Sequence, residues 1–241
     1  MFNYNHIFDT KQNILFVTAH PDDVIVYYAA LISRLVADHK NIYVVTVTNG
    51  GRGGKGDLTV DEVGKLRVQE ELSALKSLGV DPNNCVCLNY LDGEVESNYK
   101  LIGEITKYIR KYKVDIVATH EPTMVYATTY DKSGFFVQHR DHRKVAEAVV
   151  DSCYPFSRDK AFFPEHAKEG IEPHTVMEIL MTDEISSNFE LDYTDEVETK
   201  IRALELHHSQ FPTRESAEEI VDSVKFDGHY MERYFYVKLL W

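Results

Sequence analysis

Residues Ile14–Asp23 read ILFVTAHPDD. The opening run ILFVTA is apolar and rich in β-formers, and it stops abruptly at His20-Pro21-Asp22-Asp23. A helical apolar pattern follows from Val24 to Ala37, carried by Ala29, Ala30, Leu31, Ile32, Leu35 and Val36. A second apolar run, Ile42–Val47 (IYVVTV), comes next. Strand, turn, helix and strand in this order make a βαβ unit with parallel strands. The pattern repeats downstream. A glycine-rich loop, Asn49–Gly56, leads into a charged amphipathic helix over 59–78, and Cys85–Leu88 reads as a third strand. Lys100–Tyr112 reads as a helix and Val114–Thr119 as a fourth strand. Beyond Glu172 the pattern changes. Strands are expected at 175–181 and 234–240, and helices at 195–207 and 216–224. Right-handed crossovers place helices on both faces of such a sheet. The expected architecture is therefore α/β: a Rossmann-like, mostly parallel sheet with a C-terminal α/β extension, in one domain spanning 1–241.

Composition narrows the function classes. The 241 residues carry 26 Lys plus Arg against 39 Asp plus Glu, a net charge of −13. An acidic chain lacks the basic face that nucleic acid or an anionic membrane requires. No run approaches the roughly 18 apolar residues of a membrane span. The N-terminal segment lacks the basic start and apolar run of a signal peptide. The three cysteines, Cys85, Cys87 and Cys153, are an odd number without metal-cage spacing and are expected in the core. The expected compartment is the cytoplasm. A homo-oligomer is left open.

In an open parallel sheet, ligands bind beyond the carboxyl ends of the strands. The turn after the first strand holds one histidine and two aspartates. One aspartate could be a helix N-cap, but capping does not explain two beside a histidine. A second cluster, His139-Arg140-Asp141-His142, opens the helix expected at 144–151. His139 and His142 stand at i and i+3 and share a helix face, and Asp141 suits the positive end of the helix dipole. His20, Asp23 and His142 would make a two-His, one-carboxylate set of the kind that binds zinc or iron with positions open to water.

Taken together, AHPDD after the first strand and HxDH opening a later helix resemble the PIG-L/LmbE family of zinc-dependent N-acetylglucosaminyl deacetylases. Arg67–Val80 is similar to the family's helix after the glycine-rich loop, and Leu91-Asp92-Gly93 to its next strand end. Lys200–Gln210 is similar to its K-x-x-A-L-x-x-H-x-S-Q segment. The resemblance implies that His20, Asp23 and His142 hold zinc, or another divalent metal such as iron. Asp22 is then the general base, His139 stabilises the oxyanion, Asp141 orients a histidine, and Arg67 binds substrate. The implied partner is a small amino-sugar conjugate. Three positions depart from the family's habits: Val24 stands where glutamate is common, Arg140 where proline is, and Val137 where some members carry tyrosine.

The chemistry agrees with this assignment. Zinc lowers the pKa of bound water from 15.7 to about 7 and polarises a carbonyl. Asp22 is free to take the proton and pass it to the departing amine. Protonated His139 and the metal would stabilise the oxyanion, at roughly 3–4 kcal/mol per well-placed donor. Arg52 is expected either to bind a substrate hydroxyl or phosphate or to lie in solvent. Arg67 could instead pair with Glu70 or Glu71. Asp92 lines the substrate side, and His208 approaches the site. His120, a lone histidine at a strand end, reads as a structural or rim residue. A competing reading is a non-catalytic Rossmann-like sugar- or nucleotide-binding protein, but no G-x-G-x-x-G follows the first strand.

Overall fold

The computed structural model describes residues 1–54, 56–128, 134–182 and 186–240. Lys55 of the glycine-rich loop lies outside the described residues. Strand β1 (Asn13–Thr18) follows a short helix α1 (Tyr4–Phe8) and lies between two parallel partners, β2 (Asn41–Thr48) and β4 (Ile116–Thr119). Next to β2 lies β3 (Cys85–Tyr90), and next to β4 lies β7 (Glu178–Thr182), both again parallel. Two antiparallel strands complete the row, β10 (His229–Lys238) beside β7 and β8 (Phe189–Asp192) beside β10. The order is β3-β2-β1-β4-β7-β10-β8, with β9 (Lys225–Phe226) pairing β10. The C-terminal extension thus joins the same sheet and turns it from parallel to mixed.

Alternation along the strands explains why their sequences are apolar throughout. Ile14 and Phe16 face one layer while Leu15 and Val17 face the other, and all four are buried. The first layer holds α2 (Asp23–Ala37), α7 (Val197–Glu205) and α8 (Arg214–Asp222). The second holds α4 (Tyr99–Tyr112) and α5 (Arg140–Asp151), with the one-turn α6 (Glu165–Lys168) against α4 through His166 and Arg110. A strand covered on both sides has no polar face to show. Each fully buried Phe or Leu stabilises by about 1.5–3 kcal/mol.

Several boundaries differ from those the sequence suggests. Helix α5 begins at Arg140, four residues before Lys144, because His139 itself serves as the N-cap. β3 is the sheet's edge strand, so Cys85 and Cys87 are half-buried rather than core residues, while Cys153 is buried as expected. The structure adds short strands at 189–192 and in the ribbon β5 (Tyr126–Thr128) and β6 (Phe135–Val137). Between β3 and β2, α3 (Val60–Ser77) starts with a capping box of Thr59 and Glu62.

The chain leaves β1 toward β2 on one side and reaches β4 on the other. This is the topological switch point, where the ends of adjacent strands diverge and open a crevice. The turn 20–23 follows β1, and His120 follows β4.

Candidate metal centre

The two distant clusters meet in this crevice. His20 Nδ1 lies 3.2 Å from His142 Nε2, and the same His142 atom lies 3.2 Å from Asp23 Oδ1. His20 Nδ1 is 3.3 Å from Asp23 Oδ2. The carboxylate is steadied by the His20 N–H, which donates to Oδ2 at 2.7 Å. Burial pushes the Asp23 carboxyl up, but the charges of His142, His120 and His20 outweigh it and hold the group well below the usual carboxylate range. His20 behaves oppositely: burial lowers it, while Asp23 and Asp141 raise it to about 10.

His120 belongs to this centre and is not a rim residue. It is fully buried, and its ring stacks on His142 with centroids 4.0 Å apart. Its Nε2 accepts the Ala19 N–H at 3.1 Å and lies 3.4 Å from Asp23 Oδ2. Two overlapping triads of possible ligand atoms result, His20–His139–His142 and Asp23–His120–His142. Its position after β4 at the switch point was the available signal.

Asp22 sits beside the centre with φ at 122° and ψ at −34°, a backbone state that side chains other than glycine's disfavour. It occupies the N-cap position of α2 without making a side-chain cap. Its carboxylate instead pairs with Arg67 at 3.0 Å. Burial and the Asp23 charge raise Asp22 to about 7 against the pull of Arg67, His20 and His142.

Arg67 is buried and pairs with neither Glu70 nor Glu71. Its guanidinium donates to Pro21 O at 2.7 Å and Gly50 O at 3.0 Å. Gly50, at φ 72°, must be glycine here, because a Cβ would stand 2.7 Å from the guanidinium carbon. Glu70 accepts from the Ser209 N–H and hydroxyl instead, at 2.9 and 2.6 Å. Glu71 accepts from the Thr46 hydroxyl at 2.8 Å, and burial raises it to about 8.

Asp141 orients His20. Its buried Oδ2 lies 3.2 Å from His20 Nε2 and accepts the Gly93 N–H at 2.6 Å. Hydrogen bonds of this kind hold an imidazole so that its other nitrogen faces the centre. His139 Nδ1 accepts the Asp141 N–H at 3.2 Å, which leaves the hydrogen on Nε2. Burial and the charges of His20 and His142 lower the His139 pKa.

Asp92 accepts the Gly50 and Arg52 N–H groups at 3.0 and 2.9 Å and so builds the glycine-rich loop as well as lining the pocket. Arg52 lies on the pocket wall and pairs with Glu94 at 2.6 Å. Arg140 turns to Glu96 and the Val95 carbonyl. His208 is exposed and does not line the pocket; its neighbour His207 is the one that turns inward, fully buried. In K-x-x-A-L-x-x-H the histidine falls on 207, which was the signal to follow. The pocket measures about 400 Å³ and is lined by His20, Asp22, Asp23, Arg52, Arg67 and His139, among others.

Convergent imidazoles and an ionised carboxylate at a sheet's switch point, with a second carboxylate poised beside them, define the class of metal-dependent α/β hydrolases. Residues 15–153 match the PIG-L family, described as GlcNAc-PI de-N-acetylase, and the chain belongs to that family. The resemblance read from the sequence and the N-deacetylase class it implied both stand.

The chain is 26% identical over 212 residues to a diacetylchitobiose deacetylase of Thermococcus kodakarensis, covering 88% of this chain and 74% of that protein. It is 26% identical over 201 residues to a 1D-myo-inositol 2-acetamido-2-deoxy-alpha-D-glucopyranoside deacetylase of Thermomonospora curvata, covering 72% of this chain and 61% of that protein. The fold matches that of N,N'-diacetylchitobiose deacetylase from Pyrococcus horikoshii with a TM-score of 0.86 at 24% identity, over 98% of this chain and 88% of that one. Among the described residues no helix is long and apolar enough to cross a membrane.

Proposed function

We propose that this protein hydrolyses the N-acetyl group of an N-acetylglucosamine-type conjugate, with residues 1–241 acting as one unit. In this reading His20, Asp23 and His142 hold a zinc ion. The observation that carries it is the convergence of His20 Nδ1 and His142 Nε2, 3.2 Å apart, on the Asp23 carboxylate, whose two oxygens lie 3.2 Å from His142 and 3.3 Å from His20. Zinc bonds of 2.0–2.1 Å in tetrahedral geometry call for donor separations of about 3.4 Å. The donor chemistry fits as well, since two imidazoles and one ionised carboxylate leave zinc open to water.

Zinc so held supplies a water of pKa about 7 and a polarised carbonyl. The remaining work belongs to the chain. Asp22 takes the proton of the attacking water. Its raised pKa suits a base that must also act as an acid near neutral pH. Arg67 holds that carboxylate toward the pocket and stops it from turning back to cap α2. His139 donates its Nε2 hydrogen to the oxyanion as the tetrahedral carbon forms. Asp141 keeps His20 in its ligating orientation. The proton on Asp22 then passes to the amine as the C–N bond breaks, giving acetate and the free amino sugar. Arg52 and Asp92 contact sugar hydroxyls from the pocket wall.

The test combines elemental analysis with acetate release from N-acetylglucosaminides. Wild-type protein is expected to carry about one zinc per chain and to lose activity to a chelator, and His142→Ala to carry none. Zinc retained by His142→Ala after dialysis removes His142 from the ligand set. Undiminished acetate release under chelator ends the metal reading.

A further inference from the structure

We propose that Tyr126, supported by Val137, is a stacking platform for an uncharged sugar ring in the part of the substrate beyond the reacting residue. This rests on the deacetylase reading above and names the substrate class it takes. A pocket of about 400 Å³ lies at the small end of small-molecule sites. It holds one acetamido sugar and sends the rest of a conjugate out to the rim.

The rim beside His139 is the β5–β6 ribbon. Tyr126 pairs directly with Val137, and the Gln138 N–H donates to Val125 O at 2.9 Å, which extends the pairing one residue further. Tyr126 stands across from Val137 on one face of the ribbon, and the chain runs from Val137 through Gln138 straight into His139, the N-cap of α5. His139 lines the pocket. Tyr126 is 66% exposed and Val137 65% exposed, so both present apolar surface just outside it.

Charge selects what rests there. Arg67 is bound to Asp22 at 3.0 Å, Arg52 to Glu94 at 2.6 Å, and Arg140 to Glu96. Among the described residues that line the pocket or clasp the 92–96 loop, every arginine is committed to an acid. A phosphate or carboxylate there would have to compete with Glu94 and Glu96 for Arg52 and Arg140. A neutral ring with an apolar CH face avoids that competition and gains the phenol face.

The test is calorimetric binding to zinc-loaded Asp22→Asn protein, in which ligand is not turned over. The ligands are N-acetylglucosamine, N,N'-diacetylchitobiose and N-acetylglucosamine 1-phosphate. The disaccharide is expected to bind more tightly than the monosaccharide. Adding Tyr126→Ala lowers that preference by roughly tenfold, and Tyr126→Phe keeps it. The phosphorylated sugar binds no better than its parent. Equal weakening of both neutral sugars, loss of the preference in Tyr126→Phe, or tighter binding of the phosphate overturns the proposal. A Tyr126→Ala protein that changes its oligomeric state and keeps its disaccharide preference assigns the ring to a contact between copies, and also overturns it. Failure of the deacetylase reading would look different: sugars that bind wild-type protein but release no acetate.

Discussion

Two buried polar clusters in this molecule use similar groups to opposite ends. In the first, Lys200 and Glu232 form an ion pair at 2.8 Å with both side chains almost wholly buried. The Glu232 carboxylate also accepts the Ala30 and Leu31 N–H groups at 3.0 Å each and the Tyr234 hydroxyl at 2.7 Å. The Lys200 ammonium sits 4.9 Å over the Tyr193 ring. Every charge meets its opposite or a donor, so the cluster is closed and joins α2, α7 and β10. In the second, the ring nitrogens of His20 and His142 and the two carboxylate oxygens of Asp23 crowd within 3.2–3.3 Å of one another around one point. Such an arrangement is costly unless a cation or proton occupies its centre. Burial and charge therefore do not separate a structural network from a site. The sum of donors and acceptors does.

Asp22 belongs to neither cluster's ligand-like core. It stands beside the open cluster yet is tied to Arg67, so its replacement tests whether it is a ligand or a base. Asp22→Asn is expected to keep zinc and to lose about 10²- to 10⁴-fold in turnover, the range of general-base contributions. Steady-state acetate release with elemental analysis of the same sample checks both. Normal turnover removes Asp22 from the base role, and lost zinc makes it a ligand.

The closed cluster responds in stability. Glu232→Ala leaves Lys200 buried without its partner and removes the carboxylate to which two α2 N–H groups donate. Breaking a buried pair from one side costs about 3–5 kcal/mol. Denaturant unfolding is expected to show that loss, while zinc stoichiometry in the folded protein stays at its wild-type value. A loss under about 1 kcal/mol would mean that the pair is no more than a surface-type contact.

The same contrast explains what the sequence revealed. The open cluster was legible because its parts are short contiguous motifs placed where topology puts ligands: HPDD at the end of β1 and HRDH at the start of α5. The central parallel strands were legible because burial on both faces leaves uninterrupted apolar runs. His120 was hidden because it is a single residue whose importance depends on β4 lying beside β1, a fact of sheet order. His207 and His208 are adjacent, and α7 ends at Glu205, so helical periodicity no longer tells which one faces inward. α5 began early because its cap is His139, not a Ser, Thr, Asp or Asn that a reader seeks at a helix start. β8, with alternating polar residues in FELD, and the three-residue strands of the ribbon are too short for periodicity to resolve.

The smallest effect comes from a residue between the two extremes. His207 is fully buried, and neither ring nitrogen has a hydrogen-bond partner among the described residues. Burial, reinforced by the Arg67 and His208 charges, lowers its pKa to about 3. An unfolded histidine titrates near 6.5. Below that pH the unfolded chain takes up a proton that the folded chain refuses, so His207 supports the fold fully above about 6.5. That support is lost as pH falls toward 3, by up to about 1.4 kcal/mol per pH unit. Carboxylates near the centre also titrate in this window, but they are common to both proteins in a comparison of wild type with His207→Phe. Urea unfolding of both at pH 7 and pH 5 is therefore expected to show the variant losing less stability on acidification. Equal losses would mean that His207 is protonated in the fold, and the segment after α7 would then be open to water and not sealed against α3.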